Sequence, residues 1–534
     1  MAPPPEPLDA IEHRQLSRLR RWGTTGALIM ALGATSSYGA ATPSPNPVDG
    51  FRVLGLMSRL STGALGVSYA GMGLLVLCWL LIGRLAVPGR IRRLSRSQLS
   101  HTLAMWAVPF LVVPPIFSRD VYSYLAVGSM ANQGFDPYAS GPYDVLGDQD
   151  VFAHQVDARW QHTPSPYGPF FVLIARGVVA LSGQHVIAAV LLQRLVELLG
   201  VAAIIWALPR LARYCRVDPV ATLWLGALNP VLLFHLIAGG HNEALMLGAM
   251  LAGLVIALGA GGRFGPRCSP VIGVLVITLG IAVKATAAMA LPFLVIALAL
   301  RVGAGWRPLV RRAASCGVVF VVAFGALTVV AGHGFGWVNG LGAPGTVRSF
   351  LSVTTSSGVA TGFLGQLLGV GDFSDAAISV MQPIGTGAGL VGSLVLMWWA
   401  WRGRLAPVTA LGLALGGFVL LGPVIQPWYL LWAVLPLAAA TTDRRFRLFA
   451  VWFSAAFALI IMPNGATIPP FAIIQAVAVA AVVVGIAFLL LRRAGLPRSS
   501  VSLSSVSLSF SRPASTARRA VDHDVRSLRP PEHD

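Results

Sequence analysis

Three short polar clusters interrupt a chain that is otherwise mostly hydrocarbon, and each carries side chains suited to group transfer. The first surrounds Asp120, where the apolar run LAMWAVPFLVVPPIF gives way to SRDVYSYLAVGSMANQG. A carboxylate at that boundary can take a proton from a hydroxyl presented at the membrane surface. Its plainer alternative is a helix cap for the amphipathic stretch that follows. Arg119, Tyr122 and Tyr124 flank it. The stretch 118–170 holds six Asp (120, 136, 144, 148, 150 and 157) against two Arg (119 and 159), in a chain of formal net charge +19. That local excess of acid marks the stretch as the expected floor of an active site.

The second cluster is His241, Asn242 and Glu243, in LIAGGHNEALML between two apolar runs. Ionisable groups at membrane depth are costly and usually serve function. The alternative is a polar helix start that satisfies free N–H groups. H-N-E lacks the second His of an H-E-x-x-H zinc helix, so no metal is expected. The third cluster is one residue, Lys284, the single Lys among 39 basic residues. It stands at the break of the apolar pair 270–283 and 286–300. An ammonium there can hold a phosphate as a point charge, or snorkel to the interface. In GPVIQPWYLLW, Trp428, Tyr429 and Trp432 can form an interfacial aromatic belt, or Gln426 and Trp428 can instead bind a sugar or a lipid head. Tyr167, in the proline-stiffened HTPSPYGP, is placed to line the same cavity.

The elements that must hold these clusters are membrane helices. Hydrophobic residues make up 55% of 534 positions and charged ones 11%, where a soluble globular chain carries about 25% charged. Continuous rather than alternating apolar runs exclude a β-barrel. Arg14, Arg18, Arg20 and Arg21 place the N-terminus in the cytoplasm, and Arg84, Arg90, Arg92, Arg93 and Arg96 place the next basic turn there too. The positive-inside rule therefore accounts for the basic balance without nucleic acid, and it puts the Asp120 loop outside.

Spans are expected near 24–42, 65–88, 101–118, 185–209, 219–238, 241–260, 270–283, 286–300, 312–331, 384–401, 405–422, 427–440, 447–462 and 467–491. That is about 14, plus or minus two. The run 169–183 is short of the ~20 residues needed to cross, and is read as re-entrant. The organisation expected is a cytoplasmic segment 1–22, a membrane domain 23–495 with outer loops 118–184 and 332–383, and a disordered cytoplasmic tail 496–534. The Pro-rich residues 1–12 are expected to be unstructured as well. The four Cys fall in spans or cytoplasmic turns, so no disulfide is expected.

In order and spacing, FSRDVYSYLAVGSMANQGFDPYASGP, TPSPYGPFF, LWLGALNPVLLFHLIAGGHNEALMLG, AVKATAAMALPFL, GFGWVNGLG and VIQPWYLLWAVLPLA cover about 105–440. Together they resemble the alpha-1,6-mannosyltransferases of mycobacteria and related actinobacteria, GT-C glycosyltransferases that use polyprenyl-phosphate sugars. VRSF, HNEALMLG and VIQPWYLLWAVLPLA look more like the branch that initiates the lipomannan core than the one that elongates it. The resemblance implies an all-α polytopic GT-C fold with a large first catalytic outer loop. It implies a polyprenyl-phospho-mannose donor and, as acceptor, a phosphatidylinositol mannoside or growing lipomannan. The active site would face the extracytoplasmic side of the cell membrane, with no cofactor.

By the same resemblance Asp120 is the catalytic acid. Arg119 before it and Val121 after it depart from the paired acids of many GT-C patterns, which leaves Asp136 or Glu243 open as an assistant. A β-linked donor giving an α-linked product requires one inverting displacement and one carboxylate base. The leaving phosphate needs positive charge, from Lys284 with Arg348 or Arg119 as helpers. Tyr122, Tyr124, Asp136, Tyr167, His241, Asn242, Glu243, Gln426, Trp428 and Tyr429 are the expected substrate contacts. The rival reading is a transporter or flippase of a lipid-linked sugar, which broken helices and Gly-rich outer loops also suit.

Overall fold

A computed structural model of the chain describes residues 6–88, 90, 92–262, 265, 267–340, 342, 348–464 and 468–494. The expected tail 496–534 lies outside the described residues, as do 341 and 343–347 of the second outer segment. Among the described residues the regular structure is helical throughout, and a lone backbone bridge joins Glu6 to Arg92. This is an all-α polytopic membrane protein.

Five helices are long and apolar enough to cross a bilayer: Ser61–Ala86, Val186–Tyr214, Trp306–Ala331, Ser374–Trp401 and Pro470–Arg493. A sixth crossing follows if Leu232–Ala238 and Glu243–Ala257, bent by 111° at their junction, form one span. Several other runs counted toward fourteen spans form shorter or broken helices, and the sequence shows why. The run 24–42 is helical only to Gly33, where ATSSYGA turns. The run 219–238 breaks after Leu225 at Gly226 and Asn229–Pro230, then resumes as a π-helix. Pro427 confines the next turn to a 3-10 segment before Leu430–Ala440. Pro169–Ser182, at 14 residues, is about 21 Å long at ~1.5 Å per residue, short of a ~30 Å hydrocarbon core.

Residues 6–12, expected to be unstructured, are tied down. Asp9 and Glu12 form a reciprocal capping box at the start of Ala10–Gly33, which satisfies amide donors a helix start otherwise leaves free. Glu12 pairs with Arg90, Asp9 with Arg92 at 2.5 Å, and Asp218 with Arg93. Three of the arginines assigned to the cytoplasmic turn are therefore neutralised by acids from two other segments. Further in, Trp79 and Trp224 stack at 5.1 Å and each indole N–H donates to the other residue's carbonyl. That exchange satisfies the polar atoms of the buried Trp79 and the half-buried Trp224, and it locks Ser61–Ala86 to the start of the broken 219–238 run.

Candidate active site

Asp120 opens the helix Asp120–Asn132, and its approach is held from behind. Prolines at 114 and 115 keep 112–117 out of a helix, so its backbone groups need partners elsewhere. Ile116 N–H donates to the Ala238 carbonyl and Phe117 N–H to that of Pro463. The buried Arg194 donates to the carbonyls of Leu111, Val113 and Ala238 at 3.1, 2.6 and 3.2 Å. On the other side, Arg119 donates to the Gln155 carbonyl, the Thr42 carbonyl and Gln155 Oε1 at 2.8, 3.2 and 3.3 Å. The Tyr122 hydroxyl donates to the Ala41 carbonyl at 2.7 Å. Ser118 Oγ accepts the Asp120 N–H at 3.0 Å. The helix cap position is Arg119, without a side-chain cap, so the Asp120 carboxylate is not spent on capping.

That carboxylate meets the second cluster. Gly239 and Gly240 end the π-helix, and Gly240 has a φ of +67°, a backbone state that favours glycine. The turn they make swings His241, Asn242 and Glu243 into full burial. His241 Nδ1 lies 3.3 Å from Asp120 Oδ2, and its ring stacks on Trp428 at 3.8 Å. The Asn242 N–H donates to the Tyr124 hydroxyl at 3.4 Å. The Tyr124 ring meets the edges of Tyr167 and Phe171 at 5.1 and 4.9 Å.

Lys284 arrives from the break between Cys268–Ile281 and the 3-10 turn Ala285–Met289, with an extended backbone. The carbonyls of Ala282 and Val283, freed by that break, accept the N–H groups of Phe170, Phe171 and Gly168. A Cβ at Gly168 would collide with the Ala282 carbonyl, so only glycine lets Tyr167 approach this closely. The Lys284 ammonium pairs with Glu243, and it lies over the faces of Tyr429 and Trp432 at 5.1 and 5.8 Å, within cation–π range. Gln426 is half-buried at the head of the 3-10 segment Pro427–Tyr429, its carbonyl accepting the Tyr429 N–H.

The fold thus gathers Asp120, Tyr124, Tyr167, His241, Asn242, Glu243, Lys284, Trp428 and Tyr429. Four other expected residues stand apart. Arg119 and Tyr122 have their polar groups turned to the backbone of 41–42 and 155. Asp136 follows the 13-residue helix that Asp120 begins, about 20 Å along its axis, and faces His333 at 3.8 Å. Arg348 pairs with Asp375 on the surface.

Unpartnered buried polar atoms concentrate at the gathered site: both ring nitrogens of His235, His241 Nε2, the Asn242 amide, Glu243 Oε2 and Trp432 Nε1. Buried polar groups in folded proteins are nearly all paired, so such a concentration fits a place where a substrate completes the hydrogen bonds. His235, Arg194 and Glu197 were not among the residues expected from the sequence, and Trp432 was expected only in the aromatic belt. For Arg194 and Glu197 a signal was present: charged residues three apart in the apolar run VIAAVLLQRLVELLG. Glu197 Oε1 accepts from Gln193 at 2.7 Å. Among the described residues no three His, Cys, Asp or Glu side chains converge to hold a metal ion.

Comparison with known proteins adds to this geometry. Residues 20–300 match the family model described as "Alpha-(1->6)-mannopyranosyltransferase, N-terminal domain", and residues 354–490 match "MptB C-terminal domain". The chain is 43% identical over 464 residues, 83% of its length and 82% of the relative's, to a probable alpha-(1->6)-mannopyranosyltransferase of Mycolicibacterium smegmatis. It is 39% identical over 526 residues, 90% and 88% of the two lengths, to an alpha-(1->6)-mannopyranosyltransferase of Mycobacterium tuberculosis. With alpha-(1->6)-mannopyranosyltransferase A of that organism it shares 38% over 378 residues, 70% of each chain. No solved structure matches.

Proposed function

Because the chain belongs to the alpha-(1->6)-mannopyranosyltransferase family, and is thus a membrane mannosyltransferase, we propose that it transfers mannose from polyprenyl-phospho-mannose. The acceptor is the 6-hydroxyl of a mannose on a phosphatidylinositol mannoside or growing lipomannan. The oxygen of that hydroxyl forms a bond to the anomeric carbon while the bond from that carbon to the phosphate oxygen breaks. The electron pair leaves with the lipid phosphate, and the hydroxyl proton goes to Asp120. One such displacement inverts the anomeric carbon.

One observation carries this reading. Of the ionisable groups His241, Glu243, Asp120 and Lys284, the two that remain partly open are a carboxylate and an ammonium: Asp120 is 23% exposed and Lys284 21%, against 0% for His241 and 1% for Glu243. A base for the hydroxyl and a cation for the phosphate are what the displacement requires. His241, stacked on Trp428, holds the Asp120 carboxylate in place. Of the three ammonium hydrogens of Lys284, one meets Glu243, which leaves two for phosphate oxygens. The extracytoplasmic face is supported by the Arg-rich turns on one side of the spans and the Asp-rich loop on the other. The branch that initiates the mannan core is the one that VRSF, HNEALMLG and VIQPWYLLWAVLPLA resemble.

The test is Asp120→Asn, close to isosteric but unable to accept the proton. Mannose transfer from labelled polyprenyl-phospho-mannose by purified protein in detergent should fall about 10²–10⁴-fold, with expression and folding intact. Such turnover, with no second compartment present, also separates an enzyme from a flippase. Near-normal transfer by a folded variant would remove Asp120 from the chemistry.

A further inference from the structure

We propose that Glu243 is the group that clears the spent lipid phosphate: by holding Lys284 it lowers the site's affinity for the product more than its affinity for the donor. This deepens the reading above and rests on Lys284 as the phosphate contact. The Glu243 carboxylate is buried, one oxygen on the Lys284 ammonium and the other without a partner. The pair has no net charge. The cations on the Asp120 side are committed elsewhere, Arg194 to three carbonyls, Arg119 to Gln155 and Thr42, and Arg159 to Asp157. A phosphate that reaches Lys284 therefore shares its one positive charge with a fixed carboxylate.

The reaction changes that balance. The donor is a phosphodiester with one negative charge. After the anomeric bond breaks, the lipid carries a phosphate monoester of about −1.5 to −2. Asp120, having taken the hydroxyl proton, is neutral. Turnover thus moves about one negative charge from the Asp120 side of the site toward Glu243. Repulsion from a buried carboxylate scales with the charge it faces, so it grows as product forms. Glu243 opposes the product more than the donor, at some cost to the bond-breaking step and with a gain in release. It acts through Lys284 and is a positioning residue, not a catalytic one.

Three measurements test this on the full chain in detergent micelles. Glu243→Gln should tighten binding of polyprenyl phosphate by a larger factor than binding of its singly charged methyl ester; an equal or smaller gain for the monoester would overturn the proposal. In the same variant product inhibition should strengthen about tenfold, with donor KM lowered by a smaller factor. Single-turnover transfer should be undiminished while steady-state kcat falls. Glu243→Asp, which keeps the charge, should keep the wild-type affinities. A folded Glu243→Gln that loses single-turnover rate and phosphate affinity together would mark Glu243 as merely structural and sink the idea. Should Lys284→Met bind polyprenyl phosphate as well as wild type does, the phosphate role of Lys284 fails instead, and the two failures are told apart.

Discussion

Lys284 and Arg348 were both expected to hold the donor phosphate, and each faces a carboxylate, Glu243 in one case and Asp375 in the other. Their surroundings differ in every other respect. The Lys284 pair is 21% and 1% exposed and lies under two stacked aromatic rings, Tyr429 and Trp432, 4.2 Å apart. The Arg348 pair is 61% and 81% exposed. An exposed ion pair is worth about 0–1 kcal/mol, because water and salt screen it. Removing one partner of a buried pair typically costs about 3–5 kcal/mol. A basic residue with an acid beside it is therefore no mark of a phosphate site until its exclusion from water is known.

The comparison can be broken most directly by neutralising both cations. Lys284→Met keeps the length and apolar stem and removes only the charge. Donor use should drop about 10- to 150-fold, the worth of a charge-assisted contact of roughly 1.5–3 kcal/mol, read as transfer rate against donor concentration. A snorkelling lysine would instead leave Met harmless. Arg348→Met should change the same rate by less than about threefold. A loss equal to that of Lys284→Met would return Arg348 to the site and erase the contrast.

The smallest effect is expected at a third pair, in the outer loop. His162 Nδ1 lies 2.7 Å from Asp144 Oδ1. That hydrogen bond, with the Gly141 N–H as a second donor, holds the Asp144 carboxyl below its usual range. A carboxyl lowered on folding adds stability above its unfolded value of about 3.9, and this is lost as pH falls through the folded value. Amide exchange over 141–162 should accelerate as pH drops below about 4 in wild type, and lose that dependence in Asp144→Asn. Transfer by the variant at neutral pH should stay within about twofold.

Much of the site was legible because charge is expensive in an apolar sequence: Asp120, the H-N-E triplet and the single Lys each stand out against hydrocarbon. What joins them was not. Glu243 and Lys284 are 41 positions apart, and no periodicity links a helix break to the turn that reaches it. Arg348 gave the same signal as Lys284, since sequence carries the charge but not the depth. Arg194 and Glu197 could have been found by asking why a span should carry both. The helical class was plain from continuous apolar runs. The ends of the helices were not, because Gly226, Asn229, Pro230 and Pro427 break runs that hydropathy averages across. The D-x-x-E box at Asp9 and Glu12 was readable, but the prolines just before it are poor helix formers and gave 1–12 an unstructured composition.

The backbone contacts behind Asp120 have a consequence for how the protein is made. The Phe117 N–H is held by the Pro463 carbonyl, and the Ile116 N–H by that of Ala238, with Arg194 closing the same junction. The segment that aims Asp120 is synthesised before all three of the groups that fasten it. On the proposed chemistry, truncation ahead of Pro463 is therefore expected to cost transfer even though every proposed site residue precedes it.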